Sequence, residues 1–87
     1  MDGEENRSHG RIPWRGSVHL VAPAGDRIAA TIQDMSEVGL GLWIERAVEA
    51  GMPVGIDGTG FHGAGVVRYC YRREGGFRVG VELGSPS

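Results

Sequence analysis

Apolar and polar residues alternate with a period of two along most of the chain, the signature of half-buried β-strands. Val18 and Leu20 share a face over residues 16–22, and Ile28, Ala30 and Ile32 share one over residues 27–34. Leu40, Leu42 and Ile44 form the apolar face of a third strand, with Trp43 on the opposite side. Residues 52–57 make a short fourth strand. Residues 61–73 are long enough for one bent strand, and Gly63 and Gly65 are its expected bulge or bend sites. Phe77, Val79, Val81 and Leu83 keep strict alternation in a last strand, with Arg78, Gly80 and Glu82 outward. Pro- and Gly-rich turns at 23–26, 58–60 and 74–76 punctuate the pattern. Residues 45–50 have the composition of a single helical turn, too short to stand alone.

Six short strands and sixteen glycines predict an all-β domain. Small alternating sheets gain by closing on themselves, because closure removes exposed edges. The expected fold is a six-stranded antiparallel barrel, with an open twisted sheet or a five-stranded SH3-like barrel as the alternative. Residues 12–87 form this single domain. Residues 1–11 are polar, begin with an acidic run at Asp2, Glu4 and Glu5, and read as a flexible N-terminal arm. Pro13 gives the chain an extended start into the first strand.

Eighty-seven residues support a modest core and no deep catalytic cavity. Cys70 is the single cysteine, so it has no internal disulfide partner, and no Cys/His spacing suggests zinc. No apolar run is long enough to span a membrane, and the first residues lack a signal peptide's apolar core. A soluble, cytoplasmic protein is expected. All nine basic side chains are arginine. Codon bias in a G- and C-rich genome is one cause of that; the value of arginine for planar, bidentate contacts is another. A net charge of −2 argues against general DNA or RNA binding.

Catalysis is not expected. His9, His19 and His62 lie in the arm and on separate strands, and no motif links them to Ser36 or Cys70. Cys70, between Tyr69 and Tyr71, reads as a small buried hydrophobe. The stretch from Asp34 to Gly41 stands apart. It joins two strands and gathers a carboxylate, a hydroxyl and glycine backbone, as D-x-S-x-x-G at Asp34, Ser36 and Gly39, followed by Gly41. It is no phosphate-binding P-loop, for it lacks the Lys-Ser/Thr ending and the helix behind. By itself it is an ordinary turn composition.

The arm supplies a second motif. Arg7-Ser-His-Gly-Arg11 is R-x-x-x-R, and it precedes D-x-S-x-x-G by two strands and one turn. This pair, in this order and on this strand pattern, resembles the PilZ domain, a bacterial receptor module for cyclic di-GMP. The final strand, Phe77 to Leu83, is similar to that family's last barrel strand, so the resemblance runs from Arg7 to Leu83. It implies that Arg7 and Arg11 wrap over the ligand, forking onto phosphate or guanine and stacking on the base. Asp34 would accept from guanine N1 and N2, Ser36 would add a hydroxyl contact, and Gly39 and Gly41 would let the ligand approach the wall. Tyr69 is a further stacking candidate beside its plain role in the barrel. Arg11 and Arg15 also read as R-x-x-x-R, but the Ile12-Pro13 pair after Arg11 favours Arg7 and Arg11.

The implied function is a cyclic di-GMP receptor or adaptor, without cofactor or metal, that passes the signal to an effector protein. Ordering residues 7–11 would cost roughly 5–10 kcal/mol. Charge-assisted hydrogen bonds of about 1.5–3 kcal/mol each offset it, so binding and arm closure would be one event. Two alternatives stand beside this one. A PilZ-like module that binds protein and not nucleotide would use Trp14 or Trp43 as anchors. A small barrel binding RNA or single-stranded DNA would show steep salt dependence.

Overall fold

The computed structural model describes residues 12–84. Its strands, in chain order, are β1 (Ile12–Val21), β2 (Arg27–Met35), β3 (Gly39–Ile44), β4 (Pro53–Gly58), β5 (Phe61–Arg73) and β6 (Gly76–Leu83). All neighbours pair antiparallel in the order β1-β2-β3-β6-β5-β4, and β4 closes on β1. The alternation of the sequence thus resolves as a closed six-stranded barrel, and among the described residues no helix crosses or covers it. No helix among the described residues is long and apolar enough to cross a membrane. The arm, with Arg7 and Arg11, lies outside the described residues.

Period two puts one face of every strand inside. Leu20, Leu42, Ile44 and Val79 are fully buried, and Ile32, Leu40 and Val67 nearly so. Cross-strand register stacks them: Ile32 faces Leu42, and Leu42 faces Val79. Each such side chain contributes about 1.5–3 kcal/mol by leaving water. Met35, Val48, Phe61, Cys70 and Phe77 pack against this cluster from its ends. Cys70 packs as a small hydrophobe, but it is partly rather than fully buried.

Two local expectations are corrected. The bulge in β5 is not at Gly63 or Gly65, which pair in unbroken register with Ile56 and Val54. It falls at Arg68, between the Val67–Val81 and Tyr69–Gly80 pairs. The extra residue reverses the strand's phase, so Val67 and Cys70 both face inward while Tyr69 and Tyr71 face out. Gly65 is small for another reason: a Cβ there would collide with the Glu82 carbonyl of β6.

The helical turn expected over residues 45–50 does not form. The loop bends, then turns at Gly51, whose φ of 92° suits glycine. Its end bonds across to β5: Gly51 N–H donates to the Val67 carbonyl at 2.7 Å, and Val67 N–H donates to the Met52 carbonyl at 2.9 Å, with a single turn bond along the loop from Met52 N–H to the Glu49 carbonyl. One turn of helix offers too few bonds to compete with an available strand.

A stability contrast tests this interior. Leu42→Ala should cost about 2–5 kcal/mol, a large part of the stability of a domain this small. Val38→Ala, at a site 47% exposed, should change stability by less than about 0.5 kcal/mol. Urea unfolding followed by tryptophan fluorescence measures both, and equal midpoints would contradict the packing described.

Candidate functional site

One transverse row on the barrel's outer wall collects the polar chemistry. Register carries it from Pro13 in β1 to Asp34 in β2, Gly41 in β3, Gly80 in β6 and Tyr69 in β5. A second bulge shapes its left half. Ile32 pairs with Leu42 and Asp34 with Gly41, so Gln33 is the extra residue and both Gln33 and Asp34 turn outward.

Arg78 binds this row together. It lies two residues from Gly80 on the same outer face, and its guanidinium reaches back across β3 to β2. Nη2 donates to both Asp34 oxygens, at 3.0 and 3.3 Å, and Nη1 donates to Gln33 Oε1 at 3.0 Å. The pair is well shielded, with side-chain exposures of 14% for Arg78 and 21% for Asp34. Burial works to lower the Arg78 pKa. Hydrogen bonds to Tyr69 and Asp34, helped by the Asp34 charge, outweigh it and hold the guanidinium above its ordinary value. Arg78 is therefore a fixed positive charge in the wall.

The glycines explain how so large a side chain lies flat. A Cβ on Gly41 would strike the Arg78 guanidinium and sit 2.7 Å from Asp34 Oδ1. A Cβ on Gly80 would strike the Tyr69 ring. Two paired glycines thus make a floor on which Arg78 and Tyr69 rest. Tyr69 continues the surface by stacking on Tyr71, with ring centroids 5.7 Å apart. Both rings are more than a third exposed.

The residues singled out by sequence separate into two groups. Asp34 and Gly41 belong to this row. Ser36 and Gly39 build the loop beside it: Ser36 is 7% exposed, and its hydroxyl accepts from Val38 N–H at 3.3 Å. Ser36 N–H donates to the Gly39 carbonyl at 2.9 Å, and Leu83 N–H donates to the Val38 carbonyl, so the loop is stapled to the end of β6. Gly39 is small because the Val81 carbonyl lies where its Cβ would be. Arg7 and Arg11 lie outside the described residues. Arg78, Gln33 and Gly80 were missed as site members. Their one sequence signal was Arg78 and Gly80 on the outward face of an otherwise apolar strand.

A second polar cluster lies on the β1–β4–β5 side, where His19 faces Asp57 and Asp57 faces His62. Arg27 bonds Asp57 at 2.9 Å and His62 Nδ1 lies 3.0 Å from its other oxygen. The Arg27 hydrogen bond is the main reason the Asp57 carboxyl titrates below its usual range. His62 is thus tied to a carboxylate, which its isolated place in the sequence did not suggest. Among the described residues no cluster of three or more His, Cys, Asp or Glu is arranged to hold a metal.

The glycines can be told apart by substitution. Gly39→Ala sets a methyl against the backbone of β6 and should cost about 1–3 kcal/mol. Gly80→Ala meets only the movable Tyr69 ring, so stability should fall less while the Tyr69–Tyr71 stack is lost. Chemical unfolding gives the first, and ring-current shifts of the Tyr71 resonances give the second. An unchanged Tyr71 spectrum in Gly80→Ala would disprove the seating of Tyr69 on that glycine.

Compared with known families and curated proteins, the chain matches no family model and no curated relative.

Proposed function

We propose that this barrel is a receptor for cyclic di-GMP of the kind the PilZ resemblance implies, coupling ligand binding to an effector protein. The observation that carries the reading is the register at the start of β1. Ile12 pairs with Met35 and Pro13 with Asp34, so the chain passes into the barrel beside the D-x-S-x-x-G carboxylate. Arg11 is bonded directly to Ile12, and Arg7 is five residues from it, a reach of at most about 17 Å. Chain length therefore lets the two motifs, twenty-odd residues apart in sequence, reach one patch of wall.

The chemistry of that patch suits a guanine nucleotide. Asp34 is an acceptor for guanine N1 and N2 groups, and Arg78 is a permanent cation beside it. Tyr69 and Tyr71 offer ring faces on the same surface, and base–aromatic stacking contributes about 1–3 kcal/mol. In this reading guanine shares Asp34 with Arg78 or displaces it. Arg7 and Arg11 close over the phosphates, and the rearranged surface is what the effector reads.

A second reading has its own support. The clearances over Gly41 and Gly80 are already filled by Arg78 and Tyr69. A wall complete in itself fits a PilZ-like protein-interaction module that needs no nucleotide.

Calorimetric titration with cyclic di-GMP decides between them. Wild type should bind in the micromolar range, and Asp34→Asn, Arg7→Ala and Arg11→Ala should each weaken binding tenfold or more, about 1.4 kcal/mol per decade. Absence of heat at high micromolar ligand would leave the second reading. Arg15→Ala fixes the motif register, since loss there with Arg7→Ala silent would assign the pair to Arg11 and Arg15. Asp34→Asn keeps hydrogen-bonding atoms for Arg78, and a thermal melt checks that it remains folded.

A further inference from the structure

Among the described residues, the second half of β5 has a paired neighbour on a single side, as does the start of β1, which meets β4 only from His19 to Val21. β4 pairs with Phe61 through Val66 of β5, and the loop before β4 extends that contact as far as Val67. From Tyr69 to Arg73, β5 pairs with β6 alone. The direction of the spare backbone groups follows from the hairpin. Glu74 and Gly75 both have positive φ, 55° and 80°, which makes a two-residue turn closed by a hydrogen-bonded pair at Arg73 and Gly76. Alternation then turns the N–H and C=O of Arg72 and Cys70 away from β6, toward the open edge. Among the described residues, no backbone hydrogen bond from the 45–52 loop reaches beyond Val67.

Along the edge itself the charged side chains are arginines, with Glu74 in the turn that follows. Arg68 is paired with Glu82 at 2.9 Å. Arg72 lies over the Phe77 ring at 5.6 Å, and Arg73 donates to the Tyr71 hydroxyl. Both are exposed, and among the described residues neither makes an ion pair with a carboxylate. Two copies joined edge to edge along β5 would bring these arginines together, and like charges across a strand pair repel. The arginines therefore guard the edge against self-pairing and favour a negative partner.

We propose that the free edge of β5, from Arg68 to Arg73, binds an extended acidic peptide of a partner protein as an added strand. The peptide backbone pairs with Cys70 and Arg72. Peptide side chains on one face meet Arg72, which lies over Phe77, and those on the other meet Arg73 beside Tyr69 and Tyr71, with acidic residues opposite the arginines. Six residues of edge span about 20 Å, enough for a short linear segment. This site stands apart from the nucleotide reading and does not depend on it.

The test uses the full chain and a fluorescein-labelled eight-residue peptide alternating glutamate and threonine, followed by fluorescence anisotropy. A lysine–threonine peptide is the charge control. A glutamate–threonine peptide N-methylated at every second residue, and so unable to donate along one edge, is the backbone control. The acidic peptide should bind at least tenfold tighter than the basic one and lose binding on N-methylation. Amide shifts should concentrate at Cys70 and Arg72. The double variant Arg72→Glu with Arg73→Glu should reverse the charge preference while a thermal melt shows it folded. Equal affinity for both peptides, indifference to N-methylation, or no acidic-peptide binding at millimolar concentration would each overturn the proposal. A β5-dependent dimer in sedimentation, dispersed by Arg72→Pro, would overturn it in favour of a second copy.

Discussion

Closing six short strands into a barrel brings backbones together more tightly than side chains allow, and the rest of the molecule follows from where that happens. Gly39 abuts the Val81 carbonyl, Gly65 the Glu82 carbonyl and Gly76 the Ile44 carbonyl. Each contact involves β6, the strand wedged between β3 and β5, and at each a methyl group would push two strands apart. Gly41 and Gly80 differ in kind, because their open space is taken by side chains. The same economy of Cβ atoms closes the barrel at three places and makes a recess at the other two. Arg78 can bridge β6 to β2 across β3 only because Gly41 lies beneath it.

The fold was largely legible because period two is a strong and redundant signal. Leu40, Leu42 and Ile44, like Phe77, Val79 and Val81, could hardly be placed except as one face of a strand. What escaped were the departures from that period. Nothing in Val67-Arg68-Tyr69 marks a bulge locally. It becomes necessary only when Cys70 must face the core while Val67 does too. Glycine was the expected marker, yet Gly63 sits in unbroken register and Gly65 is small for the sake of a neighbouring strand. Residues 45–50 failed as a helical turn for a similar reason, since the competing bonds come from Val67, distant in sequence.

The site was half legible. Asp34 stood out because D-x-S-x-x-G is dense in turn chemistry, but that motif mixes two jobs. Ser36 and Gly39 shape the loop, and Asp34 with Gly41 faces the wall. The Asp34 partner, Arg78, is forty-four positions away in sequence. Its role depends on the strand order β2-β3-β6, which no local pattern encodes. A cross-strand pair of glycines flanked by an outward arginine is the feature that a search of the sequence would need, and it is visible only after register is known.

Net charge hid the electrostatics in the same way. A value of −2 argues against anionic partners for the chain as a whole, yet Arg68, Arg72, Arg73 and Arg78 fall within eleven consecutive residues. Folding then spends them differently. Arg78 is neutralised by Asp34 and Arg68 by Glu82, both across strands, whereas Arg72 and Arg73 hold onto aromatic groups and keep their charge. Charges closer than a Debye length of about 8–10 Å act on a ligand directly, while more distant ones are screened. An acidic protein can therefore present arginines along one strand edge, and in the peptide proposal the local field on β5 counts for more than the net charge.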